Sequence, residues 1–391
     1  MNLAILHSEV QEYISANLKT EITKLILKGS PFEKVSVQEL ANQIIAKQKS
    51  EKKLPTWFST ESIYYPTKIS IEQTSSEVAA AHKVSLISGD SVIDITGGFG
   101  IDAHAFSKQF KKVVHCEIND QLSEIVAHNF KQLNIDNIET FAGDGLQFLK
   151  KTSQKFDCVF IDPSRRHDAK GKVFLLKDCL PYIPPKIEFL FTKATQILIK
   201  TSPILDISNT IKELKSVVKV QIIAFNNEVK ELLFLLEKNP PNTIRVEAIN
   251  YQKNSLQQIE FNHQSAAKST YSPPLTYLYE PNAAILKSGG FHEISHQLKV
   301  FKLHQHSHLY TSDQLMDFPG RQFIITQSMP YDKKKIKKFI GQEKANITIR
   351  NFPKSVAQIR KETKIKEGGQ VFIFFTTNLD NKQIVLFCRK V

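Results

Sequence analysis

The sequence predicts an α/β fold in which a parallel sheet is preceded by helices and followed by a smaller α+β module. Between residues 71 and 200, short apolar strands alternate with helical segments, the pattern of βαβ units with right-handed crossovers. Within residues 1–60, apolar residues such as Val10, Tyr13 and Leu18 recur at helical spacing. Beyond Arg321 the segments are short and mixed, which favours a separate module.

The elements of the sheet follow from apolar runs bounded by turn residues. Helices between the strands are predicted at Asp102–Phe110, Asp120–Leu133 and Gly145–Leu149 and around Pro185–Ala194. A further helix precedes the first strand, and Thr74 and Glu77 have the spacing of a capping box at its start. The strands are predicted at Ser91–Ile95, Lys112–Glu117, Ile138–Phe141, Phe156–Asp162 and Gln196–Lys200.

Two further strands, Val217–Phe225 and Glu231–Glu237, are joined by Asn226 and Asn227. Paired asparagines are turn residues, so we expect an antiparallel hairpin that closes the sheet. Residues 242–275 are polar and remain unassigned. After Arg321 we expect a basic helix at Asp332–Ile340, followed by a strand at Ala345–Asn351 and a second helix at Val356–Thr363. A strand pair, Val371–Thr377 and Gln383–Arg389, is expected to complete the module.

The charge of the chain is concentrated near its carboxyl end. The formal net charge is +13, and residues 321–391 hold 16 lysines and arginines against 5 acidic residues, a net +11. Such asymmetry in one module indicates a polyanionic partner, most simply nucleic acid.

Composition also excludes several classes. No run approaches the ~18 apolar residues of a membrane span, and the first residues lack a signal peptide pattern, so we expect a cytoplasmic protein. The four cysteines form no CxxC pair, and we expect neither a zinc site nor a disulfide framework.

A glycine-rich segment, Asp94-Ile-Thr-Gly-Gly-Phe-Gly-Ile-Asp102, follows the first predicted strand. Glycines allow a tight turn and close approach of a ligand, and the next helix offers free N–H donors. The segment alone does not separate S-adenosylmethionine (SAM) from NAD, because Gly98, Gly100 and Ala103 also fit the dinucleotide fingerprint.

Acidic residues at three further strand ends narrow the choice. Glu117 ends the second strand, where a carboxylate can accept hydrogen bonds from both ribose hydroxyls, and Asp144 follows the third, within reach of an adenine amino group. Asp162 follows the fourth, where the reacting group would lie. Parallel sheets bind ligands beyond the carboxyl ends of their strands, so these acids are expected to line one site.

These residues resemble motifs I to IV of class I SAM-dependent methyltransferases, which have a Rossmann-like sheet with an antiparallel terminal hairpin. Thr96 stands where a glycine is commoner. The whole chain further resembles bacterial methyltransferases with a ferredoxin-like segment and a THUMP-like module. The stretches that carry this likeness include Glu72-Gln-Thr-Ser-Ser-Glu77, Lys200-Thr-Ser-Pro203, Tyr279-Glu-Pro-Asn-Ala-Ala-Ile285 and Asn346-Ile-Thr-Ile-Arg-Asn-Phe-Pro353.

The resemblance implies four regions: an N-terminal helical region at 1–65, the methyltransferase core at 66–240, a linker with the ferredoxin-like segment at 241–320, and a basic THUMP-like, RNA-binding module at 321–391. It also implies roles for single residues. Cofactor binding is expected of Thr74, Ser75, Asp94, Thr96, Gly98, Gly100, Glu117 and Asp144. Catalysis is expected of Asp162, Pro163 and Arg165, and RNA binding of Arg166, Lys333, Lys334, Lys335, Lys337, Lys338, Arg350 and Arg360.

The motif at Asp162 bears on the acceptor atom. In related enzymes Asp-Pro-Pro-Tyr or Asn-Pro-Pro-Tyr holds an exocyclic amine, but here Ser164 and Arg165 replace the last two residues, so the stacking aromatic is missing. Methylation of uracil carbon 5 would need a cysteine after the fifth strand, and Lys200–Asp206 contains none. A base nitrogen in tRNA or rRNA is therefore the favoured acceptor.

Other interpretations stay open at this point. A protein or small-molecule methyltransferase, an inactive SAM-fold RNA-binding protein and a Rossmann dehydrogenase all fit parts of the pattern. His292-Glu-Ile-Ser-His296 matches the zinc protease signature HExxH, but Lys299 and Lys302 occupy the positions of the usual continuation. His304, His306 and His308 alternate as on one face of a strand, and a solvated face is favoured over a metal site there.

Overall fold

The computed structural model describes residues 1–165, 175–342 and 344–391. The chain folds into two compact units. The first contains Met1–Val218 and Leu233–Pro240, and the second contains Lys219–Leu232 and Pro241–Val391.

The first unit begins with helices, as expected for residues 1–60. The longest of them starts at a capping box, in which Ser36 and Glu39 each accept a hydrogen bond from the other's backbone N–H, and it buries Leu40 and Ile44. The helices before the sheet are α1 (Ser8–Ala16), α2 (Ile22–Lys28), α3 (Val37–Lys53), α4 (Pro55–Ser59), α5 (Lys68–Gln73) and α6 (Glu77–Val84).

A parallel sheet forms the centre of the first unit. Its strands are β1 (Ser91–Asp94), β2 (Lys112–Glu117), β3 (Ile138–Ala142), β4 (Phe156–Ile161) and β7 (Ala194–Thr201), and the short strands β5 (Ser164–Arg165) and β6 (Cys179–Leu180) form a separate antiparallel pair. The helices are α7 (Ile101–Ser107), α8 (Asp120–Gln132), α9 (Gly145–Lys151), α10 (Ile187–Leu190) and α11 (Ile207–Leu214). The strand order β3-β2-β1-β4-β7, parallel throughout, confirms the predicted α/β fold and places five carboxyl ends side by side.

One predicted helix start is wrong. The cap of α6 is Ser76, whose hydroxyl accepts from the Ala79 N–H, and Glu77 lies inside the first turn. The Glu77 carboxylate instead accepts from the backbone N–H and the hydroxyl of Thr56. The capping-box spacing between Thr74 and Glu77 was therefore coincidental, since the glutamate has a tertiary partner.

The predicted hairpin forms but does not close the sheet. Strands β8 (Val217–Phe225) and β9 (Glu228–Glu237) flank Asn226 and Asn227, which both have positive φ. On its other side β8 pairs in parallel with β10 (Arg245–Tyr251), which in turn pairs with the antiparallel β11 (Leu256–Asn262). Along β11, exposed residues alternate with half-buried or buried ones, and most of the exposed residues are polar. The segment therefore contains no apolar run from which a strand could be predicted.

The second unit contains a further sheet with the order β13-β14-β12-β15-β18-β17-β16. Its strands are β12 (Tyr277–Pro281), β13 (Phe301–Lys302), β14 (Tyr310–Ser312), β15 (Gly320–Pro330), β16 (Ala345–Arg350), β17 (Val371–Thr377) and β18 (Gln383–Lys390), and its helices are α12 (Ala283–Ser288), α13 (Phe291–Gln297), α14 (Lys333–Ile340) and α15 (Val356–Thr363). Helices α14 and α15 bury Ile336, Ile340 and Ile359 in a core with Phe375 and Phe387, which confirms the predicted α+β module.

The three alternating histidines do not form a strand face, so that prediction is wrong. The chain turns between β13 and β14, which pair antiparallel, and His304 is buried in this turn. Its ring nitrogens contact the side-chain amides of Asn351 and Asn381. Within the described residues, no group of three or more His, Cys, Asp or Glu side chains could hold a metal ion, and no helix could cross a membrane.

Candidate functional site

The glycine-rich segment turns from β1 into α7 at the carboxyl edge of the sheet. Gly98 and Gly100 have φ of 58° and 82°, in the left-handed region where glycine is favoured, and Gly100 is the N-cap of α7. A Cβ placed on Gly98 would meet nothing nearer than the Thr96 carbonyl at 3.9 Å. The face of Gly98 is therefore open, which leaves room for a ligand to lie against the backbone.

Gly97 is a glycine for a different reason. A Cβ at this position would lie 2.3 Å from Nε2 of His115, a buried side chain of β2 beneath the loop. Burial lowers the pKa of His115 to about 4, so the ring is neutral at physiological pH. Its contact with the Phe130 ring, at a centroid distance of 5.7 Å, shows that it packs as part of the core.

Glu117 at the end of β2 is nearly buried and fixed by two backbone donors. Its Oε2 accepts from the Gly98 N–H at 2.8 Å and its Oε1 accepts from the Asn119 N–H at 2.7 Å. A carboxylate has about four lone-pair positions, so each oxygen can still accept a ligand hydroxyl. The next side chain, Ile118, is 74% exposed and offers an apolar surface beside this carboxylate.

Asp144 is an exposed residue at the end of β3. Its Oδ1 caps α9 by accepting from the N–H of Leu146 at 2.8 Å. Gly145 comes next, and a Cβ there would lie 2.6 Å from the backbone of Ile95. This close approach holds the loop after β3 against the loop after β1, so Asp144 borders the same edge as Gly98 and Glu117.

Thr96 links the ends of β1 and β4. Its hydroxyl accepts from the Asp162 N–H at 2.7 Å and lies 3.2 Å from Oδ1 of Asp94, while its own N–H donates to the same oxygen at 2.9 Å. The residue that departs from the commoner glycine thus positions Asp162 relative to the glycine-rich segment. A glycine at this position would lose both side-chain hydrogen bonds.

A buried cluster of charges lies beneath the loop. The Lys83 ammonium is 3.0 Å from Oδ1 of Asp102 and donates to the Ser75 hydroxyl at 3.0 Å, and Ser75 donates to Oδ2 of Asp102 at 2.9 Å. Lys83 is fully buried on α6 and Asp102 nearly so on α7. The cluster therefore joins the helix before β1 to the helix after it.

The pKa values of two acids at this edge are shifted in opposite directions. Burial raises the pKa of Asp94 well above its usual 3.8, and the neighbouring charges of Asp102 and Asp162 raise it further. Burial also acts to raise the pKa of Asp102, but the charges of Lys83 and Lys200 and the hydrogen bonds to this carboxylate lower it overall. Burial without a cationic partner among the described residues thus dominates the pKa of Asp94, whereas the cationic and hydrogen-bonding partners dominate that of Asp102.

Asp162 forms an ion pair with Lys200 at the end of the adjacent strand β7. The pairing follows from strand register, because Ile161 lies opposite Ile199. The Asp162 side chain is 36% exposed, whereas Pro163 is buried. Only the backbone of Arg165 is described, in β5, and Arg166 lies outside the described residues.

The arrangement fits the SAM that the sequence resemblance implies. The open face of Gly98, the oriented carboxylate of Glu117 and the exposed carboxylate of Asp144 could hold the ribose and the adenine. The buried Ser75, Lys83 and Asp102 cluster holds together the helices before and after β1, which support this surface. Thr74, the residue before Ser75, is half-buried.

Sequence reasoning missed Lys83 and Lys200. Lys83 falls in the stripe with Ala79, Ala80 and Val84 that an apolar helix face buries, and a charged residue in such a stripe indicates a buried partner. Lys200 ends a strand in the same way as Glu117 does. Applying the strand-end argument to basic residues as well as to acids would have identified it.

The predicted RNA-binding residues separate into two groups. Lys333, Lys334, Lys335, Lys337 and Lys338 are exposed on α14, which Asp332 caps. In contrast, Arg350 pairs with the buried Glu280 at 2.6 Å, and Arg360 donates to the carbonyl oxygens of Ile365 and Ala345 at 3.0 and 3.3 Å. Both arginines have internal partners, so the lysines of α14 are the accessible cations of this set.

Family models match three parts of the chain. Residues 42–219 match a family described as conserved hypothetical protein 95, residues 277–319 a ferredoxin-like domain, and residues 320–390 a THUMP domain-like family.

A crystal structure of a candidate methyltransferase from Porphyromonas gingivalis W83 is similar over nearly the whole length. It is 30% identical in sequence, the match covers 99% of this chain and 98% of that chain, and the TM-score is 0.88. An uncharacterized RNA methyltransferase from Clostridium tetani (strain Massachusetts / E88) is 33% identical over 75 residues, or 19% of this chain and 16% of that protein. The likeness to the clostridial protein thus spans only a small part of its length.

Proposed function

The chain belongs to the class I SAM-dependent methyltransferases that carry a ferredoxin-like segment and a THUMP-like domain, and we propose that it methylates a base nitrogen in structured RNA. The observation that carries this proposal is the edge at which Gly98, Glu117 and Asp162 meet. It combines an open backbone surface and an oriented carboxylate for the cofactor with a partly exposed carboxylate for the acceptor.

Methyl transfer from SAM depends more on the placement of the acceptor than on its chemical activation. SAM supplies a methyl group on a positively charged sulfur, so the protein must align the acceptor nitrogen and exclude other nucleophiles. Asp162 accepts hydrogen bonds from the acceptor N–H and receives its proton. Thr96 holds the backbone of Asp162, and Lys200 holds its carboxylate.

RNA is proposed as the substrate class because of the distribution of charge. The lysines of α14 form an exposed cationic surface in a module whose net charge is +11. Contacts between lysines and phosphates release counterions and do not depend on sequence, which suits capture of a folded RNA. We assign capture to residues 321–391 and transfer to residues 66–240, and we place the protein in the cytoplasm.

Two measurements on the full chain test the proposal. Calorimetric titration with SAM and then with NAD should show binding of SAM alone; preferential binding of NAD would indicate a dehydrogenase. Incubation with methyl-labelled SAM and a cell extract, followed by separation of RNA from protein, should place the label in RNA. Label found only in protein would contradict the proposal.

A further inference from the structure

Trp57, the single tryptophan of the chain, packs against the glycine-rich segment. It lies in the five-residue helix α4, and its side chain is fully buried. The centroid of its ring is 4.7 Å from that of Phe99, which stands between Gly98 and Gly100, two residues with positive φ. A side chain from the helices before the sheet therefore contacts the turn that leaves Gly98 open to a ligand.

The indole N–H of Trp57 is directed at α7. Its Nε1 donates to Nδ1 of His104 at 2.9 Å, and both side chains are buried. Burial, and to a smaller extent the charge of Lys108, lowers the pKa of His104 to about 4, so the ring is neutral at physiological pH and Nδ1 can accept. A buried indole N–H needs such an acceptor, so the hydrogen bond fixes the Trp57 ring relative to α7.

The same group of rings supports the turn at Gly100. The Phe130 ring of α8 lies 6.3 Å from the Trp57 ring between centroids, and a Cβ placed on Gly100 would be 2.7 Å from Cζ of Phe130. Phe130 also contacts His115, which fills the space below Gly97. The rings therefore form a continuous support for the glycine-rich segment, to which α4 contributes Trp57.

The backbone of α4 is held independently of the Trp57 ring. Glu77 at the start of α6 accepts from the backbone N–H of Thr56 at 2.9 Å and from its hydroxyl at 2.8 Å. The Tyr65 hydroxyl donates to the carbonyl oxygen of Trp57 at 3.0 Å. Ser75 lies two positions before Glu77, so α4 connects the segment that leads into α6 with the glycine-rich segment.

We infer that Trp57 is a positioning residue for SAM: through Phe99 and His104 it fixes the glycine-rich segment and α7 in the arrangement that the cofactor binds. The inference rests on the cofactor of the proposed function but goes beyond that function, since it holds for any methyl acceptor. A surface that is ordered before its ligand arrives binds more tightly, because less conformational freedom is lost on binding. This contact gives the N-terminal helices a part in cofactor binding.

Calorimetric titration of full-length variants with SAM tests this role. We expect Trp57→Phe, which keeps a ring but loses the N–H, to raise the Kd for SAM by ~3- to 10-fold, and Trp57→Leu to raise it by at least ~10-fold. Each variant is titrated below its own melting temperature, measured by circular dichroism. Phe156→Leu removes a buried aromatic ring at the amino end of β4, the edge opposite the site, and is the matched control, with a lower Tm and an unchanged Kd expected.

Substitutions of His104 test the hydrogen bond without changing the tryptophan. His104→Leu removes the acceptor of the indole N–H and should raise the Kd for SAM by ~3- to 10-fold, whereas His104→Asn keeps a side-chain acceptor and should recover most of the affinity. A purely structural role would lower the Tm of His104→Leu and leave its Kd at the wild-type value.

The outcomes separate this inference from the proposed function. Wild-type Kd values in folded Trp57→Leu and His104→Leu would overturn the inference and leave methylation of RNA unaffected. An equal rise of the Kd in Phe156→Leu would also overturn it, because the lost affinity would then reflect general destabilisation. The expected series of Kd values in a protein that transfers no methyl group to RNA would retain the positioning role and reject the proposed function.

Discussion

At the scale of single residues, the site balances buried charges of both signs. Asp94, Asp102 and Asp162 lie close enough to influence one another, and two lysines, Lys83 and Lys200, stand among them. Lys83 pairs with Asp102, and Lys200 pairs with Asp162. Burying such groups is costly unless each charge has a partner, so the balance is a condition for folding as well as for binding.

The raised pKa of Asp94 has a consequence for stability. An acid whose pKa is higher in the folded than in the unfolded state stabilises the fold below the unfolded pKa, and this contribution is lost as pH rises through the folded pKa. Asp94→Asn keeps an acceptor for Thr96 but cannot ionise. We expect the free energy of unfolding of this variant, relative to that of wild type, to increase as pH rises above 3.8. Urea unfolding across a pH series measures this, and a constant difference would contradict the assignment.

The Lys83–Asp102 pair predicts a large effect of removing one partner. Lys83→Met leaves Asp102 buried without its cation and should lower the free energy of unfolding by ~3–5 kcal/mol. The double variant Lys83→Met with Asp102→Asn removes the stranded charge and should recover a substantial part of the loss. If both variants unfold at the same denaturant concentration, the two side chains are not coupled as described.

At the scale of elements, the position of the loop between β1 and α7 is set by the side chains and backbone that pack against it. His115 fills the space below Gly97, and Ile95 lies against Gly145, so three strand ends are held at fixed spacing. The strand-end residues could be predicted from sequence because period and turn chemistry locate strand boundaries. The contacts beneath the loop could not, because they join residues of β2 and the glycine segment that only the sheet order makes neighbours.

Other elements show the same limit. Strand β11 escaped prediction because its exposed face carries mainly polar residues, and β10 because Arg245, Glu247 and Asn250 interrupt its apolar residues. The start of α6 was misplaced because Glu77 binds α4 instead of its own helix. The ion pair between Asp162 and Lys200 follows from the register of β4 and β7, which local sequence patterns do not specify. Prediction was therefore strongest for elements and weakest for their tertiary partners.

The packing of Gly97 on His115 predicts a compensating pair of substitutions. In Gly97→Ala the new Cβ collides with the imidazole, shifts the loop and should weaken SAM binding by ~10-fold or more. Adding His115→Ala removes the ring and should restore part of the affinity, which calorimetry would measure. Affinity that stays at the level of Gly97→Ala in the double variant would argue against this packing as the cause.

At the scale of the whole molecule, charge and chemistry are assigned to different parts of the chain. The acids and glycines of the site lie in the first unit, whereas the net charge of +11 lies within residues 321–391. This division predicts that RNA affinity and methyl transfer can be altered separately.

Substitutions on the cationic surface of α14 should alter RNA affinity without altering SAM binding. Lys334 and Lys338 are four residues apart on one exposed face, so replacing both with glutamine should reduce the slope of log affinity against log salt concentration by ~2 in magnitude. SAM binding should not change. Lys24→Gln with Lys28→Gln on α2 removes the same charge elsewhere and should leave the slope intact. Equal slopes for the α14 variant and wild type would remove this helix from the RNA interface.

The most direct test of the central claim is methyl transfer to RNA by Asp162→Ala, measured as methylated nucleosides after complete RNA digestion. The account predicts a base-methylated nucleoside with wild type and with the exposed-residue control Asp136→Ala, and a loss of at least ~100-fold with Asp162→Ala while SAM still binds. Full transfer activity in Asp162→Ala with SAM binding intact would contradict the claim that this carboxylate orients the acceptor.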